Sequence, residues 1–192
     1  MATAALNRYT PEEYLALERN AEFRSEYLDG RIVAMTGALR PHVVIVGNLT
    51  REISGRLLDG PCEVYATDMK VKIEASGRYV YPDLSVSCEP RFDDDYTDVL
   101  LTPVLIVEVL SDGTEQYDRG EKFVHYRRIE TLREYVLVSQ KEPLVERYVR
   151  GGDVWRFHSV DGRESSLVLT SLDVEIPLQR IYAKALAAGA RD

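Results

Sequence analysis

The spacing of apolar positions changes several times along the chain, and each change marks an element. Thr10-Pro11-Glu12-Glu13 sets Thr at an N-cap, Pro at the first helical position and Glu at the third, a capping box predicting a short helix to about Asn20. Tyr14, Leu15 and Leu17 would form its apolar side, with Glu18 polar. Residues 23–28 and 32–36 alternate around Asp29-Gly30, a pair suited to positive φ, and predict a hairpin. From Pro41, Val43, Val44, Val46, Leu49, Ile53 and Leu57 recur at helical spacing until Gly60-Pro61. The period then falls to two: strands are predicted over 62–66, 69–74 and 79–88, then over 104–110 and 134–139 after an acidic loop and a helix from about 115 to 130. An antiparallel meander over 144–150, 154–159 and 165–169 and a terminal helix over 177–188 complete the chain.

This order predicts an α/β (α+β) fold, a mixed central β-sheet flanked by helices with an antiparallel C-terminal meander. At 192 residues the chain suits a single domain over 1–192, with a core of about 10–140 and the meander and helix over about 141–192. Its 45% hydrophobic and 29% charged residues are those of an ordinary globular protein. No apolar run reaches the length of a membrane span and the N-terminus does not read as a signal peptide, so a cytoplasmic protein is expected. Cys62 and Cys88, both in apolar strand-like segments, read as buried free thiols, with neither a disulfide nor a zinc site. The net charge of −8 argues against a broad basic face for nucleic acid, though not against a small basic cleft.

The chemistry gathers around one residue. Glu108 is the single charge in Val104-Leu105-Ile106-Val107-Glu108-Val109-Leu110, whose β-branched density predicts a strand packed on both faces. A buried carboxylate without a partner costs several kcal/mol, so it must meet a cation, a metal or a proton. If the strands starting at Leu84 and ending at Leu110 are antiparallel neighbours, Asp83 faces Glu108, and two carboxylates at one sheet edge suit a hard divalent cation, Mg²⁺ or Mn²⁺. The carbonyl of Val109 would complete the shell. Lys122 stands on the following helix with Asp118 four residues before it and Tyr126 four after, Glu26 lies in the first hairpin, and His42 opens the long helix. Each has a plainer role open to it: Glu108 as partner of an arginine, Lys122 and Asp118 as a helix salt bridge, Glu26 as a cross-strand charge, His42 as a helix-end group. Asp93, Asp94 and Asp95 read as a solvated face, in a long loop of the kind that often covers a site. His125 reads as a helix surface group, and His158 carries no visible chemistry.

Ser25-Glu26-Tyr27-Leu28-Asp29-Gly30, His42, Pro82-Asp83, Val107-Glu108-Val109-Leu110-Ser111, Asp118-Arg119-Gly120-Glu121-Lys122-Phe123 with Tyr126, and Arg133-Glu134-Tyr135-Val136-Leu137-Val138 form an ordered set. In this set the chain resembles the Uma-two family of restriction-endonuclease-like proteins, within the PD-(D/E)XK nuclease superfamily. The resemblance implies a restriction-endonuclease-like core, Mg²⁺ (or Mn²⁺) held by Asp83 and Glu108, and hydrolysis of DNA phosphodiester bonds. Lys122 would position the attacking water, with Glu26 and His42 assisting. Two departures stand out: the superfamily lysine position, two residues after the second acid, is Leu110, and Asp112 replaces a common proline. A homodimer is expected, because cutting both strands of a duplex needs two sites. The alternative is an inactive nuclease fold serving as a nucleic-acid or protein-binding module, which the acidic charge and Leu110 favour.

Overall fold

A computed structural model describes residues 8–186. The capping box forms as the sequence requires: Thr10 accepts from the Glu13 N–H and Glu13 accepts from the Thr10 N–H, opening α1 (Pro11–Glu18). The polar side of that helix is not where it was expected. Glu18 is buried and Leu17 is 52% exposed, because Glu18 accepts hydrogen bonds from Ser25 and from the Tyr81 hydroxyl. Asp29 and Gly30, both at positive φ, turn β1 (Ser25–Leu28) into β2 (Arg31–Ala34), and α2 (Arg40–Leu57) follows.

The single mixed sheet expected from the sequence is two mixed sheets and a small hairpin. The run over 79–88 breaks at Tyr81-Pro82-Asp83 into β5 (Arg78–Val80) and β6 (Leu84–Ser87). Proline has no N–H to continue a ladder, and the chain crosses there from one sheet to the other. The five-stranded sheet has the order β2-β1-β5-β4-β7, with β4 at Lys70–Ile73 and β7 at Val99–Leu100. The six-stranded sheet runs β11-β10-β9-β8-β6-β3, with β3 at Glu63–Ala66, β8 at Leu105–Leu110, β9 at Glu134–Ser139, β10 at Leu144–Gly151 and β11 at Val154–Asp161. The meander therefore divides: β10 and β11 extend this sheet, while β12 (Ser166–Leu169) pairs separately with β13 (Val174–Pro177), a strand the alternation did not reveal.

Strand β8 is buried at every position, antiparallel to β6 and parallel to β9. Its odd positions pack with Ile45, Leu49 and Ile53 of α2, and Ile106 and Leu110 pack with Tyr126 and Tyr135 on the opposite face. The helix predicted over 115–130 ends earlier and contains an irregularity. It comprises α3 (Glu115–Tyr117), a π turn over Asp118–Lys122, and α4 (Phe123–Tyr126). The terminal helix is one turn, α5 (Leu178–Ile181), and 187–188 of the predicted span lie outside the described residues. No helix among the described residues is long and apolar enough to cross a membrane.

Two expectations about side chains are overturned. Cys62 and Cys88 form a disulfide: the antiparallel β3–β6 register pairs Glu63 with Ser87, and one step further brings positions 62 and 88 together. The second, a solvated acidic face in the loop between β6 and β8, is overturned at Asp93, while Asp94 and Asp95 are exposed. Asp98 accepts from Lys70 at 2.7 Å and Arg19 at 2.9 Å, and Asp93 from Lys72 at 2.8 Å, tying the loop to α1 and β4.

Closing a 26-residue separation by a disulfide stabilises by roughly 3 kcal/mol on chain entropy. Reduction, or Cys62→Ser with Cys88→Ser, should therefore lower unfolding free energy by about that amount in urea titration; no change would show that the pairing contributes nothing. Asp98 supplies a pH test. Burial pushes its carboxyl up, but Arg19 and Lys70 outweigh that and bring it down to about 2. Its contribution, on the order of 2 kcal/mol, is complete above the unfolded value and lost as pH falls through the folded one. Asp98→Asn should thus destabilise at about pH 6 and progressively less toward about pH 3.

Candidate metal and nuclease site

The β6–β8 register pairs Leu84 with Val107, so continuing it by one residue sets Asp83 against Glu108. Asp83 stands just ahead of β6, where the break at Pro82 releases its side chain from the sheet interior. One carboxylate oxygen of Asp83 accepts the Val109 N–H at 2.7 Å, and the other lies 2.9 Å from His42 Nε2. His42 belongs to the first turn of α2, so this contact joins the helix on one face of the sheet to the strand end. Val109 thus meets Asp83 through its N–H, and the buried Nδ1 of His42 has no hydrogen-bond partner among the described residues.

On the other face the π turn delivers Lys122 to the acids. An inserted residue widens the helix there, a distortion frequent at functional sites. Lys122 Nζ is 2.8 Å from Glu108, 3.5 Å from Glu26 and 3.5 Å from Asp118. Tyr126, one turn on, donates its hydroxyl to the same Glu108 oxygen at 2.9 Å. Glu26 accepts the Tyr81 N–H at 3.1 Å and so ties the first hairpin to the segment that carries Asp83. The Tyr135 hydroxyl donates to the Asp118 carbonyl at 2.9 Å and anchors the π turn on β9.

The five expected side chains form two neighbouring groups, Asp83 with His42 and Glu108 with Lys122 and Glu26, linked through the backbone at Val109. Sequence reasoning left out Asp118 as a member of the site. It is a fourth acid, 3% exposed, and its four-residue spacing from Lys122 was the available signal. The role of Tyr81, through its backbone N–H, had no sequence signal. Neither His125 nor His158 takes part in this network, and the Asp93–Asp98 loop binds other cations.

The electrostatics follow from burial. Glu108 is 4% exposed, and burial pushes its carboxyl well up against the pull of Lys122, with Asp118 and Asp83 adding to the rise. Burial also raises Asp118, opposed by Lys122 and assisted by Asp83. Burial pulls the Lys122 amine down, but Glu108, Tyr126, Glu26 and Asp118 outweigh it and hold the proton on. The same balance raises His42, where the Asp83 contact overcomes burial. With every group ionised, four carboxylates face two bases, and two negative charges are left in a low-dielectric corner.

Two negative charges and oxygen donors are what a hard divalent cation matches, and Mg²⁺ typically takes one or two carboxylates and keeps waters. Asp83 and Glu108 fit that donor set. Among the described residues no group of three or more His, Cys, Asp or Glu side chains is arranged to hold a metal ion, so the fit rests on these two carboxylates.

Comparison with known proteins agrees with this arrangement at the level of family. Residues 11–179 match the family model Uma2, described as "Putative restriction endonuclease". The chain belongs to that family, as its ordered motifs indicated. Among curated relatives it is 39% identical over 151 residues to uncharacterized protein slr1290 of Synechocystis sp., covering 79% of each chain. It is 33% identical over 176 residues to uncharacterized protein sll1609 of the same organism, covering 91% of this chain and 99% of the relative. The fold is similar to a crystal structure from Anabaena variabilis described as "a putative nuclease belonging to DUF820", with a TM-score of 0.75 and 17% identity over 92% of this chain and 99% of that one.

Lys122 is the one permanent cation among four carboxylates, and removing it should be costly. Lys122→Met should destabilise by about 3–5 kcal/mol in urea unfolding, the usual cost of orphaning a buried charge. Adding Glu108→Gln should recover part of that loss, whereas strict additivity of the two substitutions would show that the pair is not coupled.

Proposed function

We propose that this protein is a divalent-metal-dependent endonuclease that hydrolyses phosphodiester bonds of DNA, with Mg²⁺ or Mn²⁺ held by Asp83 and Glu108. The observation that carries the reading is the charge balance: among the described residues four carboxylates, two of them opposite one another across a strand pair, are paired with two cationic side chains, Lys122 and His42. Membership of the family described as "Putative restriction endonuclease" supports DNA as the substrate class. The finer assignment, a restriction-endonuclease-like core of the PD-(D/E)XK kind with its lysine moved from strand to helix, belongs to the same proposal. So does a homodimer, which gives one site for each strand of a duplex.

The roles follow from what each side chain touches. A bound cation would supply a water of lowered pKa and offset charge on the scissile phosphate. Lys122, close to Glu108, orients the attacking water and balances charge at the phosphate as it expands. Glu26 fixes both the Lys122 ammonium and the backbone at Tyr81, so it is a positioning residue. Tyr126 donates to Glu108 and His42 holds Asp83, so both are positioning residues.

A second reading, an inactive nuclease fold that binds nucleic acid or protein, rests on one specific feature. Both acids already have partners, Asp83 through Val109 and His42 and Glu108 through Lys122 and Tyr126. A cleavage assay separates the two readings. Purified protein with Mg²⁺ or Mn²⁺ should nick supercoiled plasmid, and Asp83→Ala or Glu108→Ala should lower the rate on the order of 1,000-fold while circular dichroism stays unchanged. Equal rates for wild type and both variants would sink the nuclease proposal.

A further inference from the structure

The helix that carries Lys122 runs at its C-terminal end into a crowd of arginines. Arg127 and Arg128 follow α4 directly, and Arg133 precedes β9. All three are exposed. Arg150, at the end of β10, lies among them: its side chain donates to the backbone carbonyls of Arg127, of Ile129 at 2.9 Å and of Glu130 at 3.4 Å, and its N–H donates to the Arg133 carbonyl at 2.8 Å. Among the described residues none of these four guanidinium groups has a carboxylate within 4.0 Å, whereas nearby Arg119 and Arg147 are paired with Glu115 and Glu134. That is unexpected in a chain with 32 acids against 24 lysines and arginines. The crowding is felt at Arg150, which burial and then Arg133 push below its ordinary value while Glu130 pulls it up. Arg150 is explained by the helix-end carbonyls that it caps. Arg127, Arg128 and Arg133 have no carboxylate partner among the described residues.

Aromatic rings adjoin the same surface. The Arg150 guanidinium lies 4.8 Å from the Trp155 ring centre. On β11, the edge strand of the six-stranded sheet, Phe157 is 52% exposed and packs only its inner side on Tyr148, with ring centres 5.3 Å apart. Trp155 and Tyr148 both pack on Phe123, the residue after Lys122. An arginine on Trp155 and an exposed ring two residues along the same strand supply the two elements that hold an unpaired strand, guanidinium groups for phosphates and a ring for a stacked base. The position suits the candidate site. From Lys122 to Arg127 and Arg128 is about 8–9 Å of helix, about two to three phosphate spacings of a strand.

We propose that Arg127, Arg128 and Arg133, with Phe157 as stacking platform, form the docking surface for a single-stranded segment of nucleic acid whose continuation enters the site at Lys122. The nucleic-acid assignment rests on the nuclease reading given above, and the docking is independent of turnover. It is tested without metal, by fluorescence anisotropy of a labelled 20-mer oligothymidine and of a 20-base-pair duplex in EDTA. Wild type should bind the single strand more tightly. Arg127→Glu with Arg133→Glu should weaken it about tenfold or more and lower the salt slope by roughly 1.4, the value for two lost phosphate contacts. Phe157→Ser should weaken the single strand and not the duplex. Unchanged binding in the arginine variant, equal affinity for duplex and single strand, or equal competition by oligoglutamate, which marks an acidic protein partner, would each overturn it. Plasmid nicking scored separately keeps a failure of the docking surface distinct from a failure of the nuclease reading.

Discussion

The contact between Glu108 and Lys122 is the constraint around which the central part of this fold is arranged. Placing a carboxylate in the most apolar strand of a sheet is tolerable only if a cation is brought to it, and a buried ion pair barely offsets its own desolvation. The neighbouring structure serves that delivery. The helix after β8 widens into a π turn where Lys122 arises, Tyr135 anchors that turn, and Tyr126 adds a second donor to Glu108. Such an arrangement contributes little to stability compared with an apolar residue of similar volume, so its retention points to chemistry rather than to packing.

The break at Pro82 is the second element of the same design. It moves the chain from the five-stranded to the six-stranded sheet and leaves Asp83 at the rim, opposite Glu108 and within reach of His42 from the other face. Glu26 then connects the first hairpin to this crossing. The two sheets and α2 thus each contribute one side chain to a single corner, the π turn contributes two, Asp118 and Lys122, and the crossing contributes Asp83. No two of the four acids come from the same strand.

Much of this was legible in the sequence because burial and charge conflict locally. One glutamate among β-branched residues identifies itself, Pro-Asp marks the opposite strand end, and the capping box and Asp29-Gly30 fix the first helix and hairpin through short-range rules. What could not be read depends on pairing between distant segments. Proline at position 82 signals a break but not that the two halves join different sheets. Cys62 and Cys88 meet only because β3 and β6 pair in one particular register. Glu18 is buried because Ser25 and Tyr81 come to it, which helical periodicity cannot disclose. Asp118 looked like half of an ordinary helix salt bridge until Glu108 and Glu26 were found around the same ammonium.

The excess of negative charge at this corner is the central claim, and calorimetric titration of the protein with Mn²⁺ tests it most directly. One ion should bind per chain, and binding should be lost in Asp83→Ala. A flat titration of well-folded wild-type protein would contradict it, leaving the four acids as internal partners of Lys122 and His42 and nothing more.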